Sequence, residues 1–524
     1  MQGKARMTNR TFDLGKRRFL QGAASAVALT LSGVRAAYAQ EAYDVIVIGA
    51  GTAGLPLAIG VAERGGRVLV IEKSGQIGGT LFLSGGQMAA AGTRIQKEKS
   101  IKDTPDLFFE DVMRLSHKKA DVPIVRNYVD NATATIAWLE GLGFRARDTD
   151  PIMGDAHADF RVPRYFQGPE SGRSILKVLR PPFLKAVASG RIRILNWTGA
   201  AELVLASDRS VAGVIAEDEN GVRTQYSARS VAITSGGYCA NLKKFKELTG
   251  RNIYSRAVYP FSQGHGIGLG VAAGGFVRGG ECQVVSGGLL ADRNYPSPAA
   301  VGSGPSTEGA RIFGTLSNAD ARRRPPWEIR INKNGQRFFA EDSVDVDYSQ
   351  RAFTEQPEQR AWTIFDQEIA DKAPPLIRGS KEEVAALFDL HPMFFAAPTL
   401  AELAGKIGVP ATALTATVNA YNASVAGKKD AAFGRQFLPS SVARGPFYAI
   451  EHLGMNVIGY AGLAVDKDMR VLRGDGSPVR NLYAAGEVIG AAATCGDTMV
   501  SGGCVTPAVT FGRLLGQKLL PVKA

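Results

Sequence analysis

Three closely spaced glycines are the residues of this chain whose type and spacing point most directly to chemistry. Gly49, Gly51 and Gly54 form the pattern Gly-x-Gly-x-x-Gly, and Glu72 follows the next apolar run. The first glycine permits a tight turn, the second lets the backbone approach a pyrophosphate, and the third lets a helix pack on a strand. An acid placed like Glu72 accepts hydrogen bonds from ribose hydroxyls. The pattern predicts a dinucleotide site.

The elements that must position these residues lie on either side of them. Residues 43–48 form a β-branched apolar run, a small-residue segment extends to Gly66, and residues 67–71 form a second apolar run. This order of strand, turn, helix and strand is the βαβ unit in which such glycines bind a dinucleotide.

Two further glycine-rich segments indicate which dinucleotide is bound. Gly78-Gly79-Thr80 and Ser84-Gly85-Gly86 follow the second strand. This continuation resembles the flavin-side loop of the fumarate reductase and succinate dehydrogenase flavoprotein superfamily, and the resemblance implies FAD. Members that attach FAD covalently carry a histidine in this loop. Because no histidine lies between Glu72 and Ser100, we expect non-covalent FAD.

Later segments follow in the order found in that superfamily. They are Ala200 to Gly213, Ser230 to Gly237, Gln263 to Gly268, Asn481 to Glu487 and Ser501 to Arg513. The resemblance implies an α/β fold, in which a Rossmann-like FAD-binding domain of the GR2 type carries an inserted α+β cap domain. The candidate cofactor-binding residues are Gly49, Gly51, Ala53, Gly54, Glu72, Lys73, Gly79, Thr80, Ser84, Gly85, Gly86, Ala200, Ser235, Gly236, Gly486, Glu487, Gly503 and Val505.

The predicted organisation has four parts. Residues 1–39 are an export signal, residues 40–281 and 456–524 are the two parts of the FAD domain, and residues 282–455 are the cap. Within the cap, residues 286–306 are rich in Pro, Gly and Ser, and the pattern of residues 357–424 predicts helices. The signal has a basic region, a modest apolar run and Ala37-Tyr38-Ala39, in the order typical of a signal peptide. Its basic pair before Phe19 resembles the twin-arginine signal, with an ordinary secretory leader as the alternative. We expect cleavage after Ala39 and a periplasmic or otherwise exported product without a membrane span.

Composition argues against two classes of function. The formal charge of +13 invites a nucleic-acid interpretation, but residues 1–39 hold seven Lys and Arg residues and the remainder has no dense basic run. We therefore expect no nucleic-acid binding. The four cysteines show neither zinc nor haem spacing, so we expect no metal. Buried thiols are favoured over a disulfide, whose pairing stays open. These cysteines are Cys239, Cys282, Cys495 and Cys504.

The dicarboxylate clamp of fumarate reductases is replaced at the positions where the resemblance places it. Its histidine pair falls at Val457-Ile458, its turn arginine at Met499 and its proton-donating arginine at Asp345. A small dianion would leave its charges unpaired among such residues. We therefore expect neither fumarate nor succinate as the substrate.

Two short segments carry the catalytic candidates. Residues 341–351 are similar to tricarballylate dehydrogenases, and residues 502–512 are closer to 3-ketosteroid delta-1-dehydrogenases. The second resemblance implies desaturation beside a carbonyl, in which a base removes the α proton, donors stabilise the enolate and flavin N5 takes the β hydride. The reverse reaction is an ene reduction. The candidates are Asp345 or Tyr348 as the base, Arg351 as its charged neighbour, and Tyr460, Thr498 and Gly502 as donors.

Two alternatives stay open. One is oxidation or reduction of a small carboxylate, in the manner of tricarballylate dehydrogenase or urocanate reductase, with Arg351 or Arg164 as a replacement clamp. The other is an exported flavoprotein that only carries electrons. Because no haem site is encoded, electrons must pass to or from a separate cytochrome or quinone, or to oxygen.

Overall fold

The computed structural model describes residues 42–154, 157–254, 258–288, 324–374 and 381–520, together with residues 321 and 376. The predicted export signal and its cleavage site at Ala39 lie outside the described residues. Much of the Pro/Gly/Ser-rich segment that opens the predicted cap also lies outside them.

The described elements are numbered in chain order. The strands are β1 (Ala42–Ile48), β2 (Val68–Ile71), β3 (Met88–Ala89), β4 (Tyr165–Phe166), β5 (Ile192–Leu195), β6 (Thr198–Leu205), β7 (Val211–Asp218), β8 (Arg223–Ile233), β9 (Val277–Arg278), β10 (Ser286–Gly288), β11 (Ile329–Asn332), β12 (Arg360–Asp366), β13 (Phe394–Ala397), β14 (Phe447–Met455), β15 (Gly462–Leu463), β16 (Arg470–Leu472) and β17 (Pro478–Ala484). The helices are α1 (Gly54–Glu63), α2 (Arg94–Glu98), α3 (Pro105–Leu115), α4 (Val122–Gly141), α5 (Gly172–Ala188), α6 (Leu242–Thr249), α7 (His265–Ala272), α8 (Val346–Thr354), α9 (Gln367–Lys372), α10 (Lys381–Leu390), α11 (Leu400–Ile407), α12 (Ala411–Ala426), α13 (Ala492–Cys495) and α14 (Val505–Lys518).

The largest sheet joins segments from both ends of the described chain. Its central order is β16-β17-β8-β1-β2-β5, and β6 and β7 join it through β8. Ile48 of β1 lies opposite Ile71 of β2 and Ile233 of β8, and both pairings are parallel. β17 is also parallel to β8. The βαβ unit predicted from the glycines is therefore the centre of this sheet, and a C-terminal strand completes it.

Helix α1 is the connection between β1 and β2, and it packs closely on the C-terminal helix α14. Both strands are almost entirely buried, as expected for parallel strands whose two faces are covered. A Cβ atom placed on Gly60 of α1 would lie only 3.0 Å from the Cα of Gly516 of α14. The two glycines therefore allow the helix backbones to approach each other.

A second sheet has five strands, ordered β10-β14-β12-β11, with β13 also paired to β14. All five strands, and the helices α8 to α12, fall within residues 282–455. A separate group of buried apolar side chains, which includes Trp362 and Leu414, packs beside this sheet. The mixed α/β architecture with a Rossmann-like parallel sheet, which the sequence resemblance implies, is thus confirmed.

The sequence interpretation of residues 357–424 as helical is partly wrong. The segment contains helices α9 to α12, but β12 and β13 also lie in it. Residues 361–366 of β12 are all buried, because neighbouring strands and side chains cover both faces. A short apolar run without alternation does not distinguish a buried strand from a buried helix.

Within the described ranges, no helix is both long enough and apolar enough to cross a bilayer.

Candidate functional site

A cavity of about 690 Å³ opens at the carboxyl ends of the central parallel strands. Gly49 follows β1, Glu72 follows β2 and Ser235 follows β8, and all three line this cavity. In open α/β sheets, ligands bind at this edge, where successive connections diverge.

The three glycines after β1 differ in their surroundings. Gly49 has a φ of 104°, and a Cβ atom there would lie 2.7 Å from the Thr234 carbonyl oxygen. A Cβ atom on Gly54 would lie 1.9 Å from the Gly49 carbonyl oxygen. The nearest atom to a Cβ on Gly51 would be 4.0 Å away. Gly49 and Gly54 are therefore required for packing, whereas Gly51 leaves the open space that a phosphate group needs.

Glu72 fastens the glycine turn to the second strand. One carboxylate oxygen accepts a hydrogen bond from the Ala50 amide at 2.7 Å. The other accepts from the amide and the hydroxyl of Ser74, both at 2.8 Å. Because Glu72 also lines the cavity, its position fits the predicted contact with a ribose.

Other features of the cavity also fit a bound FAD. Within the described structure, the Ser235 hydroxyl is buried and has no hydrogen-bond partner, so a polar cofactor atom can satisfy it. The Nζ atom of Lys73 lies 3.5 Å from Nδ1 of His265. Burial, followed by the Lys73 charge, lowers the pKa of His265. The imidazole is thereby kept neutral beside the lysine.

Glu487 reaches the same cavity from the end of β17. Its carboxylate accepts a hydrogen bond from the Gly459 amide at 3.0 Å. Burial raises the pKa of Glu487 to about 7. A carboxyl that titrates near neutrality thus lies among the predicted FAD-binding residues.

Nearly all the predicted cofactor-binding residues line this cavity. Three of them do not line it: Gly54, Gly86 and Gly503. A Cβ atom on Gly86 would lie 2.6 Å from the Gly172 nitrogen, which indicates a packing role. The sequence interpretation missed several lining residues that come from separate loops and form no motif: Trp197, Val258, Tyr259 and Phe261.

The predicted donors lie around a turn between α13 and α14. Tyr460 is buried, and its hydroxyl donates to the Thr498 carbonyl oxygen at 2.7 Å. Burial holds the pKa of Tyr460 well above its usual range. Gly502 has a φ of 78°, and a Cβ atom there would lie 2.6 Å from the Ala89 nitrogen. The structure therefore brings Tyr460, Thr498 and Gly502 to one turn.

Asp345 and Tyr348 lie at the start of α8. Asp345 is exposed, and its carboxylate accepts from the Tyr348 amide at 2.9 Å as the N-cap of the helix. The Tyr348 ring packs near Phe339, with ring centroids 6.4 Å apart. A structural role thus accounts for the position of Asp345.

The sequence interpretation missed a buried acid–imidazole pair near this turn. Asp347 Oδ1 lies 3.0 Å from His157 Nδ1 and accepts a hydrogen bond from the Met499 amide at 3.5 Å. The Thr498 side chain also hydrogen-bonds to Asp347. Burial raises the pKa of Asp347, but the hydrogen bond and charge of His157 outweigh it and leave the pKa lowered. Because His157 stands alone in a distant loop, no sequence pattern connects the pair.

Basic side chains lie close to the same turn. Asp497 binds Lys119 Nζ at 2.6 Å and His117 Nδ1 at 2.8 Å. The hydrogen bond to Asp497 raises the pKa of Lys119, and the positive charge of Arg351 opposes this rise. Nη1 of Arg351 is buried without a hydrogen-bond partner among the described residues. Arg351 therefore has unused capacity to bind an anion.

Arg164 does not share that capacity. It is fully buried, and its guanidinium pairs with Asp103 at 2.7 Å and with Asp111 at 2.6 Å. The interpretation of Arg164 as a carboxylate clamp is therefore wrong, because two internal carboxylates already occupy it.

The sequence profile of the FAD binding domain family matches residues 44–499. The NADH:fumarate oxidoreductase of Klebsiella pneumoniae is 29% identical over 487 residues, which cover 92% of this chain and 48% of that protein. A probable fumarate reductase of Shewanella frigidimarina is 29% identical over 484 residues, covering 92% and 75%. The 4-oxocyclohexanecarboxylate 2-dehydrogenase of Sinomonas cyclohexanicum is 25% identical over 560 residues, covering 92% and 93%. The chain spans about half the length of the first relative.

Solved structures agree with these relatives. A flavocytochrome c3 fumarate reductase in its open conformation has a TM-score of 0.63 and 26% identity, covering 91% of this chain and 78% of that one. A 3-ketosteroid delta1-dehydrogenase from Sterolibacterium denitrificans has a TM-score of 0.66 at 19% identity, covering 91% and 99%, and shows the fold alone. The chain belongs to the FAD binding domain family and is an FAD-dependent oxidoreductase with the fold of the fumarate reductase flavoproteins.

Proposed function

We propose that this enzyme exchanges hydride between flavin N5 and a CH–CH bond next to a carbonyl group. The observation that carries the proposal is the buried network at the Thr498 turn, in which Asp347 joins His157 to Thr498 and Met499. Bound FAD supplies the hydride acceptor or donor. The side chains and amides of the protein hold the carbonyl and move one proton.

Asp347 is the group that we place as the proton acceptor in the oxidative direction. Its lowered pKa means that it is ionised at neutral pH. His157 is 21% exposed on its side chain and contacts Asp347 directly, so it offers a path for the proton to solvent. Asp345 is exposed and caps a helix, and it therefore ranks below Asp347 as the base.

The carbonyl oxygen is proposed to lie near the Gly502 amide. In the described structure this amide has no hydrogen-bond acceptor, and an oriented amide stabilises an enolate oxygen. Val457 and Ile458 line the cavity where fumarate reductases carry a histidine pair. Apolar walls of this kind suit a cyclic or aliphatic ketone better than a dianion.

The experiment is anaerobic stopped-flow measurement of the flavin absorbance after mixing with cyclic ketones. We expect Asp347→Asn to slow flavin reduction by about 100-fold or more while FAD stays bound, because a proton acceptor is lost. Asp345→Asn is the matched control, since asparagine caps a helix as well as aspartate. Wild-type rates in the Asp347 variant, or a slow Asp345 variant beside it, would reject the assignment.

A small carboxylate is the second candidate, and the unpaired Nη1 of Arg351 favours it. A ketone that also carries one carboxylate could place its carbonyl oxygen near the Gly502 amide and its carboxylate at Arg351. One relative is a dehydrogenase of 4-oxocyclohexanecarboxylate, which makes this keto acid a suitable probe beside cyclohexanone.

Comparison of 4-oxocyclohexanecarboxylate with cyclohexanone reports the contribution of the carboxylate, because cyclohexanone lacks it. We expect Arg351→Gln to raise the KM for 4-oxocyclohexanecarboxylate by about 100-fold, the effect of losing a buried charge partner. The KM for cyclohexanone is expected to stay unchanged. Equal effects on both compounds would show that Arg351 has no carboxylate to bind.

Export and the electron partner are also proposed. The basic, apolar and small-residue order of residues 1–39 supports export. Electrons are proposed to pass to or from a separate cytochrome or quinone, or to oxygen. N-terminal sequencing of the protein from a cell fraction tests export, since the mature chain should begin at Gln40. Detection of the intact N-terminus in the cytoplasm would contradict it.

A further inference from the structure

Trp197 is a partly exposed aromatic residue on the wall of the flavin cavity. The chain contains four tryptophans, all of which fall within the described ranges, and of these Trp197 alone lines the cavity. It is 53% exposed, whereas Trp362 is buried beside the second sheet. A single exposed apolar residue needs no ligand to explain it. What distinguishes Trp197 is how firmly the fold holds its ring at this place.

The backbone at Trp197 is strained. The residue lies between β5 and β6 with a φ of 52°, in the left-handed region that a bulky side chain rarely adopts. Its amide donates to the Ser74 carbonyl oxygen at 3.2 Å, and Ser74 donates its own amide and hydroxyl to the Glu72 carboxylate. Strained residues persist where their surroundings fix them, and they cluster at ligand sites. The position of Trp197 is therefore tied through Ser74 to Glu72.

The indole of Trp197 lies against the backbone of Gly75. A Cβ atom on Gly75 would lie 2.3 Å from Cζ2 and 2.6 Å from Cε2 of Trp197. Any other residue at position 75 would push the ring away, so the glycine supplies the space in which the indole rests. Because Trp197 also lines the cavity, the indole has the Gly75 backbone as a support and the cavity beside it.

The part of the cavity beside Trp197 is the part that Glu72 borders. The next residue, Thr198, donates its amide to the Glu72 carbonyl oxygen at 3.1 Å, and both Thr198 and Gly199 line the cavity. Glu72 is the predicted acceptor for the ribose hydroxyls. In FAD this ribose carries the adenine on one glycosidic bond, whereas the flavin lies beyond the pyrophosphate and the ribityl chain. The aromatic group of FAD nearest to Glu72 is therefore the adenine.

We propose that Trp197 is the surface on which the adenine of FAD stacks, and that this contact retains the dissociable cofactor. A base that stacks on an aromatic side chain covers apolar area on both partners. The strained backbone and the glycine support hold the ring in place before the cofactor arrives, so little side-chain freedom is lost on binding. This role is independent of the substrate of the enzyme.

The test is a calorimetric titration of the apoprotein with ADP, which carries the adenosine and the pyrophosphate of FAD but no flavin. We expect Trp197→Ala to raise the Kd for ADP by about 10- to 100-fold, the usual effect of losing one base–aromatic stack. Trp197→Phe keeps an aromatic face and should raise the Kd by less than about tenfold. Release of FAD from the diluted holoenzyme, followed by flavin fluorescence, should be faster in the same order.

Leu184→Ala is the matched control for the loss of an exposed apolar side chain. Leu184 is exposed on α5 and does not line the cavity, so its variant should bind ADP with the wild-type Kd. A wild-type Kd in Trp197→Ala would overturn the proposal. Equal rises in the alanine and phenylalanine variants of Trp197 would also overturn it, because the ring would then have no role of its own.

A second measurement uses tryptophan fluorescence. Stacking on adenine quenches indole emission, and ADP does not absorb where tryptophan alone is excited. We expect saturating ADP to lower the emission of the wild-type apoprotein and to leave that of Trp197→Phe unchanged, since this variant keeps the other tryptophans. Quenching that persists in the variant, or no quenching of the wild type at saturation, would show that the adenine does not lie on Trp197.

Discussion

Glu487 is the residue at which the flavin site depends most directly on pH. Its side chain is partly buried at the cavity, and burial raises its pKa from an ordinary value of 4.5 to about 7. Because the folded state binds the proton more tightly than the unfolded state, the stabilisation is fully present below pH 4.5. It is lost as the pH rises through about 7.

We expect the free energy of unfolding of the apoprotein to depend on pH. Between about pH 5 and about pH 8 the free energy of unfolding should fall by up to about 3 kcal/mol because of this one carboxyl. Glu487→Gln should remove that fall, whereas Glu63→Gln at an exposed helix end should retain it. Urea denaturation of the apoproteins measures it, and an unchanged slope in the Glu487 variant would contradict the assignment.

At this scale the sequence predicts residues whose partners are near in the chain. Gly49, Gly51 and Glu72 stand in one βαβ unit, and the structure places all three at the cavity. Asp347 lies within the segment 341–351, but its partner His157 is 190 positions away and belongs to no motif. A pairing that only the folded backbone creates leaves no local pattern, so the sequence points to Asp345 or Tyr348 as the base instead.

Among the elements, the contact between α1 and α14 depends on having no side chain at its centre. A Cβ atom on Gly516 would lie 2.9 Å from the Leu57 carbonyl oxygen and 3.1 Å from the Gly60 Cα. Both neighbours are backbone atoms, which cannot move without shifting a helix.

Gly516→Ala is therefore expected to destabilise the protein by about 1 to 3 kcal/mol, the usual cost of overpacking. Gly405→Ala is the matched control, because that glycine lies within α11 and a Cβ atom there meets nothing within 4 Å. The control should gain up to about 1 kcal/mol from helix propensity. Thermal unfolding of both variants measures the difference, and equal shifts in Tm would exclude a packing role for Gly516.

Element type was predicted well where periodicity was decisive and poorly where it was not. The strands on either side of the glycine turn follow the predicted ranges closely. β12 was assigned to a helical segment, since its residues are buried on both faces and show no alternation. Tertiary contact with β11 and β14, rather than local preference, determines that strand.

At the scale of the whole molecule, the flavin cavity is assembled from distant parts of the chain. Gly51 and Glu72 come from its beginning, whereas Glu487 and Val505 come from its end. A chain that stops at residue 477 lacks β17 and α14. We expect it to retain no FAD on gel filtration, while the 524-residue chain elutes with its flavin. Co-elution of flavin with the shortened chain would show that residues 1–477 bind it without β17 and α14.

Because β17 pairs with β8, the first sheet cannot be completed until residues 478–484 have been synthesised. A ribosome must translate the entire second sheet before the strand that completes the first one emerges. Cofactor loading therefore follows the end of translation, and the newly made chain waits with an open cavity.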